Sequence, residues 1–146
     1  MGKLENNGEN LIMGLFKKKN KISKEEKKRM NIEKNIHMDV RHVEWSFVIV
    51  IYFKKKCIGK LKGVIKENGL FIGDIEINEV YRNCGIGTIT VNRAIEFAKN
   101  NEIKKITGNI SKIDEVERLC KFYENLGFQI AFKEDGNIVA NIEKIL

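Results

Sequence analysis

The chain has 146 residues, 42% of them apolar and 32% charged, and a formal charge of +7. That suffices for one domain around a single core and is short for two. No run of about 18 apolar residues occurs, so no membrane span is expected. The start of the chain lacks a secretory h-region, and Asn6 stands where a myristoylation pattern needs Ser or Thr.

Three cysteines, Cys57, Cys84 and Cys120, are odd in number and unevenly spaced. They read as free thiols of a cytoplasmic protein, with neither a disulfide frame nor a metal site. The absence of proline and the abundance of Ile, Asn and Lys suggest an AT-rich, bacterial source. The basicity is local: residues 17–34 hold nine Lys or Arg against three Glu, a net of +6. Residues 1–36 are therefore expected to be a basic arm, weakly ordered or helical, and residues 37–146 a single domain. Such an arm reads first as a solvated face, with attraction to nucleic acid or another anionic surface as the alternative. No aromatic residues interleave with its lysines as a base-stacking platform requires.

Taken in chain order, residues 1–16 show no sustained period. Met13 offers a second start, which would leave Met1 to Ile12 outside the native protein. Ser23-Lys24-Glu25-Glu26 has a capping-box pattern, so a helix is expected from about Lys24 to Asn35, weakly packed because Met30, Ile32 and Ile36 are its few apolar positions. His37 and His42 read as surface residues. Val43 to Phe53 is β-branched and aromatic, as in a buried strand. After Lys54-Lys55-Lys56 a second strand covers Cys57 to Ile65. Asn68-Gly69 then favours a tight turn with positive φ into a third strand, Leu70 to Ile77. Three strands with short turns predict an antiparallel meander.

Ile86, Ile89, Thr90, Ala94, Ile95 and Ala98 trace one helical face to Lys99. Ile103 to Ile110 is a strand. Asp114 is expected to cap a helix carrying Val116, Leu119, Cys120, Tyr123 and Leu126, with Gly127 as its left-handed terminus. Phe128 to Phe132 and Ile138 to Ile145 form a last hairpin around Asp135-Gly136-Asn137. The central strand–helix–strand unit requires a parallel, right-handed crossover. The fold class is α/β: a mixed sheet, antiparallel first, parallel at the centre and antiparallel last.

The most informative stretch runs from Ile75 to Thr88, where a strand ends and Arg82-Asn83-Cys84-Gly85-Ile86-Gly87 opens a helix. Amides at a helix start lack intrahelical partners and sit at the positive end of the dipole, so they can cradle phosphate oxygens. Gly-x-Gly alone is a weak signal. A dinucleotide fingerprint needs a third glycine where Thr90 stands, and a P-loop needs a lysine that Gly87-Thr88 lacks.

With Arg82, Gly85 and Gly87 in the pattern Arg/Gln-x-x-Gly-x-Gly/Ala, and Tyr123 followed by Gly127-Phe128 on the next helix, the chain resembles the GNAT (Gcn5-related N-acetyltransferase) superfamily over about residues 45–146. It departs from that pattern at its N-terminus, where the family usually has a first strand and a helix pair shaping the acceptor site. The resemblance implies an acyl-CoA N-acyltransferase fold, acetyl-CoA (coenzyme A) as co-substrate, and an amine acceptor in a small molecule or peptide. It implies that the amides of Arg82, Asn83, Cys84, Gly85, Ile86, Gly87 and Thr88 bind the pyrophosphate. A bulge would splay the fourth strand from the fifth, and backbone groups near Ile75 and Ile77 would pair with the pantetheine arm. Asn109 and Ser111 would line the thioester end, and Tyr123 would be the general acid that protonates the leaving thiolate.

From spacing alone Tyr123 also reads as a packed core residue. For the general base, Glu76 is preferred, with Asp74 and a water chain as rivals. Cys84, beside a helix start, could be nucleophilic, but no histidine lies in the loop to serve it. Cys120 reads as core. The alternative function is a non-catalytic module that keeps the fold, binding coenzyme A or docking on nucleic acid through the arm. A homodimer is left open.

Overall fold

The computed structural model describes residues 23–146. The chain divides into two units, Met1–Lys34 and Asn35–Leu146. In the first, helix α1 (Lys24–Asn35) begins where expected. The Glu26 amide donates to Ser23 Oγ at 3.1 Å, satisfying one of the helix's orphan donors. The expectations for residues 1–16 and for the lysines at 17–19 and 21 lie outside the described residues.

The second unit is built on a seven-stranded sheet. Its strands are β1 (Ile36–Val43), β2 (Ser46–Phe53), β3 (Lys56–Lys66), β4 (Gly69–Ile77), β5 (Lys105–Ser111), β6 (Gln129–Asp135) and β7 (Ile138–Ile145). A 3-10 turn (Glu79–Tyr81) and helix α2 (Ile86–Asn100) connect β4 to β5, and helix α3 (Val116–Asn125) connects β5 to β6. The strand order is β1-β2-β3-β4-β5-β7-β6. Only β4 and β5 run parallel; the other neighbouring pairs are antiparallel. The mixed α/β sheet expected from the sequence is the one observed.

One strand was not anticipated. β1 occupies Ile36–Val43, so the meander has four strands before the crossover, where three were expected from Val43 onward. In β1, Met38 and Val40 alternate with His37, Asp39 and Arg41, and the last two form an ion pair at 2.8 Å. It is an edge strand, paired only with β2, and its polar alternate residues left it without a strand signal in the sequence. His37 and His42 are exposed on it, as expected. Two residues, Glu44-Trp45, join β1 to β2, so no helix pair intervenes.

The β3–β4 turn also sits one residue earlier than the Asn-Gly signal suggests. Glu67 and Asn68 take positive φ (52° and 64°), and Gly69 begins β4.

The core lies on the sheet face that carries Phe47, Ile49, Ile51, Leu61, Leu70, Ile106 and Ile110, all fully buried. Helix α2 covers it with Ile86, Val91, Ala94 and Ala98, and Phe97 packs on Phe47 with ring centroids 4.8 Å apart. Val91, absent from the expected stripe, is fully buried, whereas Ile89 is half-buried. Thr90, the one buried polar side chain among the described residues, donates its hydroxyl to the Ile86 carbonyl at 2.7 Å. At the end of α3, the Gly127 amide donates to the Glu124 carbonyl and the Phe128 amide to the Tyr123 carbonyl. With Gly127 at φ 86°, this is a Schellman terminus.

Two irregularities shape β4. Lys62 opposes Asp74 and Gly63 opposes Ile72, leaving Gly73 as an extra residue. Such a bulge bends its strand. Near the end of β4, a Cβ on Gly59 would lie 2.4 Å from the Glu76 carbonyl oxygen. Gly59→Ala should therefore force the backbones apart and cost about 2–3 kcal/mol in urea unfolding. Gly73→Ala, whose Cβ would meet its nearest neighbour at 3.5 Å, should cost less than about 1 kcal/mol.

Candidate functional site

Pairing between β4 and β5 covers only Gly69↔Lys105 through Ile72↔Gly108. Beyond it, Asp74–Ile77 stays on β3 and Asn109–Ser111 stays on β7, so a cleft opens between the ends of the two central strands. The Glu76 carbonyl points toward Gly59 on β3. By alternation, the backbone groups of Ile75 and Ile77 point the other way, into the cleft. Both residues were named from the sequence, and the structure puts them on the part of β4 beyond the bulge that does not pair with β5.

Loop 82–88 follows directly. The Asn78 amide ties β4 to the Ile58 carbonyl, and the 3-10 turn closes with the Tyr81 and Arg82 amides donating to Asn78 and Glu79. Asn83 and Gly85 are left-handed (φ 60° and 82°), and Gly85 caps α2 without a side-chain bond. The first amide to find a helix carbonyl is that of Ile89, bonded to Gly85 at 3.2 Å. Among the described residues, the amides of Asn83 through Thr88 donate to no protein acceptor. The Arg82 amide, by contrast, is used by the turn. Six bare donors at the positive end of a 15-residue helix make an anion cradle.

The glycines divide the work. Gly85 holds the left-handed turn, and a Cβ on Gly87 would meet Phe122 at 3.4 Å and Ile77 at 3.9 Å. Phe122, on α3, thus closes the cleft beside the first turn of α2. Cys84 is 6% exposed and its thiol donates to the Arg82 carbonyl at 3.3 Å, so it braces the loop from inside.

Tyr123 is 7% exposed, with Phe122 and Phe128 edge-on to it at 5.0 and 5.3 Å. Burial, reinforced by the charge of Asp114, pushes its hydroxyl up to about 12, so it stays protonated at neutral pH. Asp114 is not the helix cap expected of it. Its carboxylate accepts the Ser111 amide at 2.8 Å while its own amide donates to the Ser111 carbonyl, and Glu115 stands at the cap without a capping bond. Asp114 thereby fixes the turn at the end of β5. Its position three residues after Ser111 was visible in the sequence; the turn that unites them was not. Cys120 is buried, and burial raises its thiol.

Other candidates stand farther apart. Directly opposed residues share a face, so Glu76 lies in one row with Lys60, Val50 and Asp39, on the side away from Leu61 and Ile75. Asp74 lies in the next row with Lys62, Val48 and Arg41. Both acids are exposed. Asn109 is exposed and opposes Asn141, and Ser111 is half-buried with its Oγ accepting the Ile113 amide at 3.5 Å. Among the described residues no group of His, Cys, Asp or Glu could hold a metal, and no helix is long and apolar enough to cross a membrane.

A family model for the acetyltransferase (GNAT) family matches residues 16–128. Streptothricin acetyltransferase A of Bacillus subtilis (strain 168) is 39% identical over 97 residues, covering 64% of this chain and 54% of that protein. The chain spans about half the length of the curated relatives it matches. Among solved structures, a Bacillus subtilis acetyltransferase in complex with CoA aligns with a TM-score of 0.63 at 14% identity, over 76% of this chain and 99% of that one. The PaiA N-acetyltransferase of Thermoplasma acidophilum, in complex with coenzyme A, aligns with a TM-score of 0.60 at 19% identity, over 68% and 60%. These likenesses show a shared fold, and the family match extends from the arm to the end of α3. The chain belongs to the GNAT family of acetyltransferases.

Proposed function

We propose that this protein transfers an acetyl group from acetyl-CoA to an amine of a small molecule or peptide. The observation that carries this reading is the set of six unpartnered amides, Asn83 through Thr88, at the mouth of the β4–β5 cleft. The residues fit the coenzyme. The helix start is bare and positive, Gly85 and Gly87 let a diphosphate approach the main chain, and the free edge of β4 at Ile75 and Ile77 suits the two amides of a pantetheine arm. The thioester supplies an activated acyl carbon on a sulfur that leaves as thiolate.

This chain's residues then have three tasks. Cleft-facing amides of β4 can donate to the acyl oxygen as charge develops there. Tyr123 holds the departing sulfur by a hydrogen bond. A hydroxyl near 12 faces an ordinary thiol near ~8.5, so complete proton transfer would run roughly 5 kcal/mol uphill. Tyr123 therefore donates a hydrogen bond in the transition state, and the proton that finally rests on sulfur balances the one lost from the new ammonium. We assign that ammonium proton to Glu76 through water, since Glu76 is exposed on the far rim of the strand. Asn109 and Ser111, at the end of β5, flank the acyl end. Cys84, buried and donating to Arg82, is not a nucleophile in this scheme.

The relative's name supplies a first acceptor to try, streptothricin, beside polyamines, aminoglycosides and peptides. The three free cysteines suit a reducing compartment, and we place the protein in the cytoplasm.

Calorimetry with acetyl-CoA tests the site: the wild type should bind, and no heat at millimolar ligand would sink the proposal. Gly85→Val, forced to φ near 82° and crowding the cradle, should weaken binding about 100-fold with unchanged circular dichroism. Tyr123→Phe should lower kcat about 100-fold while the coenzyme Kd changes less than about threefold; equal loss of both would refute the donor role. Tyr123 also makes a pH prediction. Its folded value lies above the ordinary 10, so between pH 10 and 12 the folded state keeps a proton that the unfolded chain has lost. Stability should fall through that window by roughly 2–3 kcal/mol more in the wild type than in Tyr123→Phe, measured by urea unfolding at each pH.

A further inference from the structure

We infer that Arg82 is a positioning residue: its side chain is a strap that holds the Ile77 carbonyl and ends the ligand-pairing edge of β4, and it is not a phosphate ligand. The inference rests on the coenzyme reading above. Arg82 Nε donates to the Ile77 carbonyl at 2.8 Å, reaching back five residues across the 3-10 turn. That carbonyl faces the cleft, because the preceding one, of Glu76, is turned onto Gly59 of β3. The backbone of Arg82 is engaged as well: its amide donates to the Glu79 carbonyl and its carbonyl accepts the Cys84 thiol. Arg82 is thus pinned at three points to protein groups, on the loop whose next six amides are bare.

The consequence is a definite register. An unstrapped Ile77 carbonyl would add one more acceptor to the cleft edge, and an extended amide chain could pair with it one step too far along. With that carbonyl occupied, the edge offers only the Ile75 amide and carbonyl and the Ile77 amide. The acyl end is then fixed relative to Tyr123.

The chemistry that matters here is one N–H at the right distance, not a positive charge. Gln carries its side-chain amide nitrogen on Cδ, the same number of bonds from Cα as Nε of Arg. Lys keeps the charge but places its donor one bond farther out, and Met keeps the bulk with no donor.

Two measurements decide the matter. In the first, acetyl transfer to one amine is followed with acetyl-CoA and with S-acetylpantetheine, which has the amide arm but no phosphate. Arg82→Met should lower kcat about tenfold for both thioesters, on the scale of one charge-assisted hydrogen bond, without raising KM, because a thioester bound out of register holds its acyl end away from Tyr123. Arg82→Gln should recover most of that loss, and Arg82→Lys less. The strap is overturned if Arg82→Met affects only acetyl-CoA, or if Arg82→Gln is as poor as Arg82→Met while Arg82→Lys is good, since either result marks a phosphate ligand. The second measurement is hydrogen exchange of residues 78–84 without ligand, read by mass spectrometry. It should quicken severalfold in Arg82→Met and return toward wild type in Arg82→Gln; equal exchange in all three overturns the strap. A wild type that binds neither thioester would overturn the coenzyme reading and the register with it, while the exchange result still judges the bond to Ile77.

Discussion

The organising constraint is that β4 and β5 stop pairing after Ile72 and Gly108. Backbone groups in the middle of a sheet are almost always satisfied by a neighbouring strand, and leaving a row of them unpaired is costly. Here the row is left open by construction. Gly73 adds a residue to β4 against β3, which turns the last four residues of the strand, and β3 and β7 keep their own edges fully paired. The cleft exists because its two walls are each held from behind. The loop of bare amides follows directly from the free end of β4, and Phe122 packs beside it at Gly87.

The electrostatics divide the cleft into two ends. At one end the positive terminus of α2 offers donors and no acceptors, a setting for an anion. At the other, Tyr123 is enclosed by aromatic rings with a carboxylate nearby, so it keeps its proton. These settings differ in kind: the first suits an anion, and the second presents a neutral hydroxyl donor. Asp114 serves the second setting, locking the end of β5 through Ser111 and disfavouring the phenolate.

The N-terminal half of the domain is economical. β1 passes into β2 through Glu44-Trp45 alone, so the segment that shapes an acceptor pocket elsewhere in this family is not found between these strands. The rows on the face opposite the core alternate in charge, Asp39 to Lys60 to Glu76 and Arg41 to Lys62 to Asp74, with Val50 and Val48 between them. Acids and bases are matched across neighbouring strands there, which leaves no large field of one sign around Glu76.

The amino-acid sequence by itself determined most of the elements, because their signals are local. β-branched alternation marks β2 and β4, a single apolar stripe marks α2, and Gly127 must end α3 where a left-handed residue is required. Two glycines between a strand and a helix likewise announced the cradle. Local pattern failed where a residue's role depends on a distant partner. β1 gave no strand signal because it is an edge strand, paired with β2 alone, and half of its residues are polar. The bond made by Arg82 was not legible because its partner, the Ile77 carbonyl, is main chain and invisible to side-chain pattern. Asp114 looked like a cap until the β5–α3 turn brought the Ser111 amide to it. The length of the β4–β5 ladder, and so the cleft itself, was decided only in the tertiary structure, since register depends on how β3 and β7 pair with the two strands and on the Gly73 bulge.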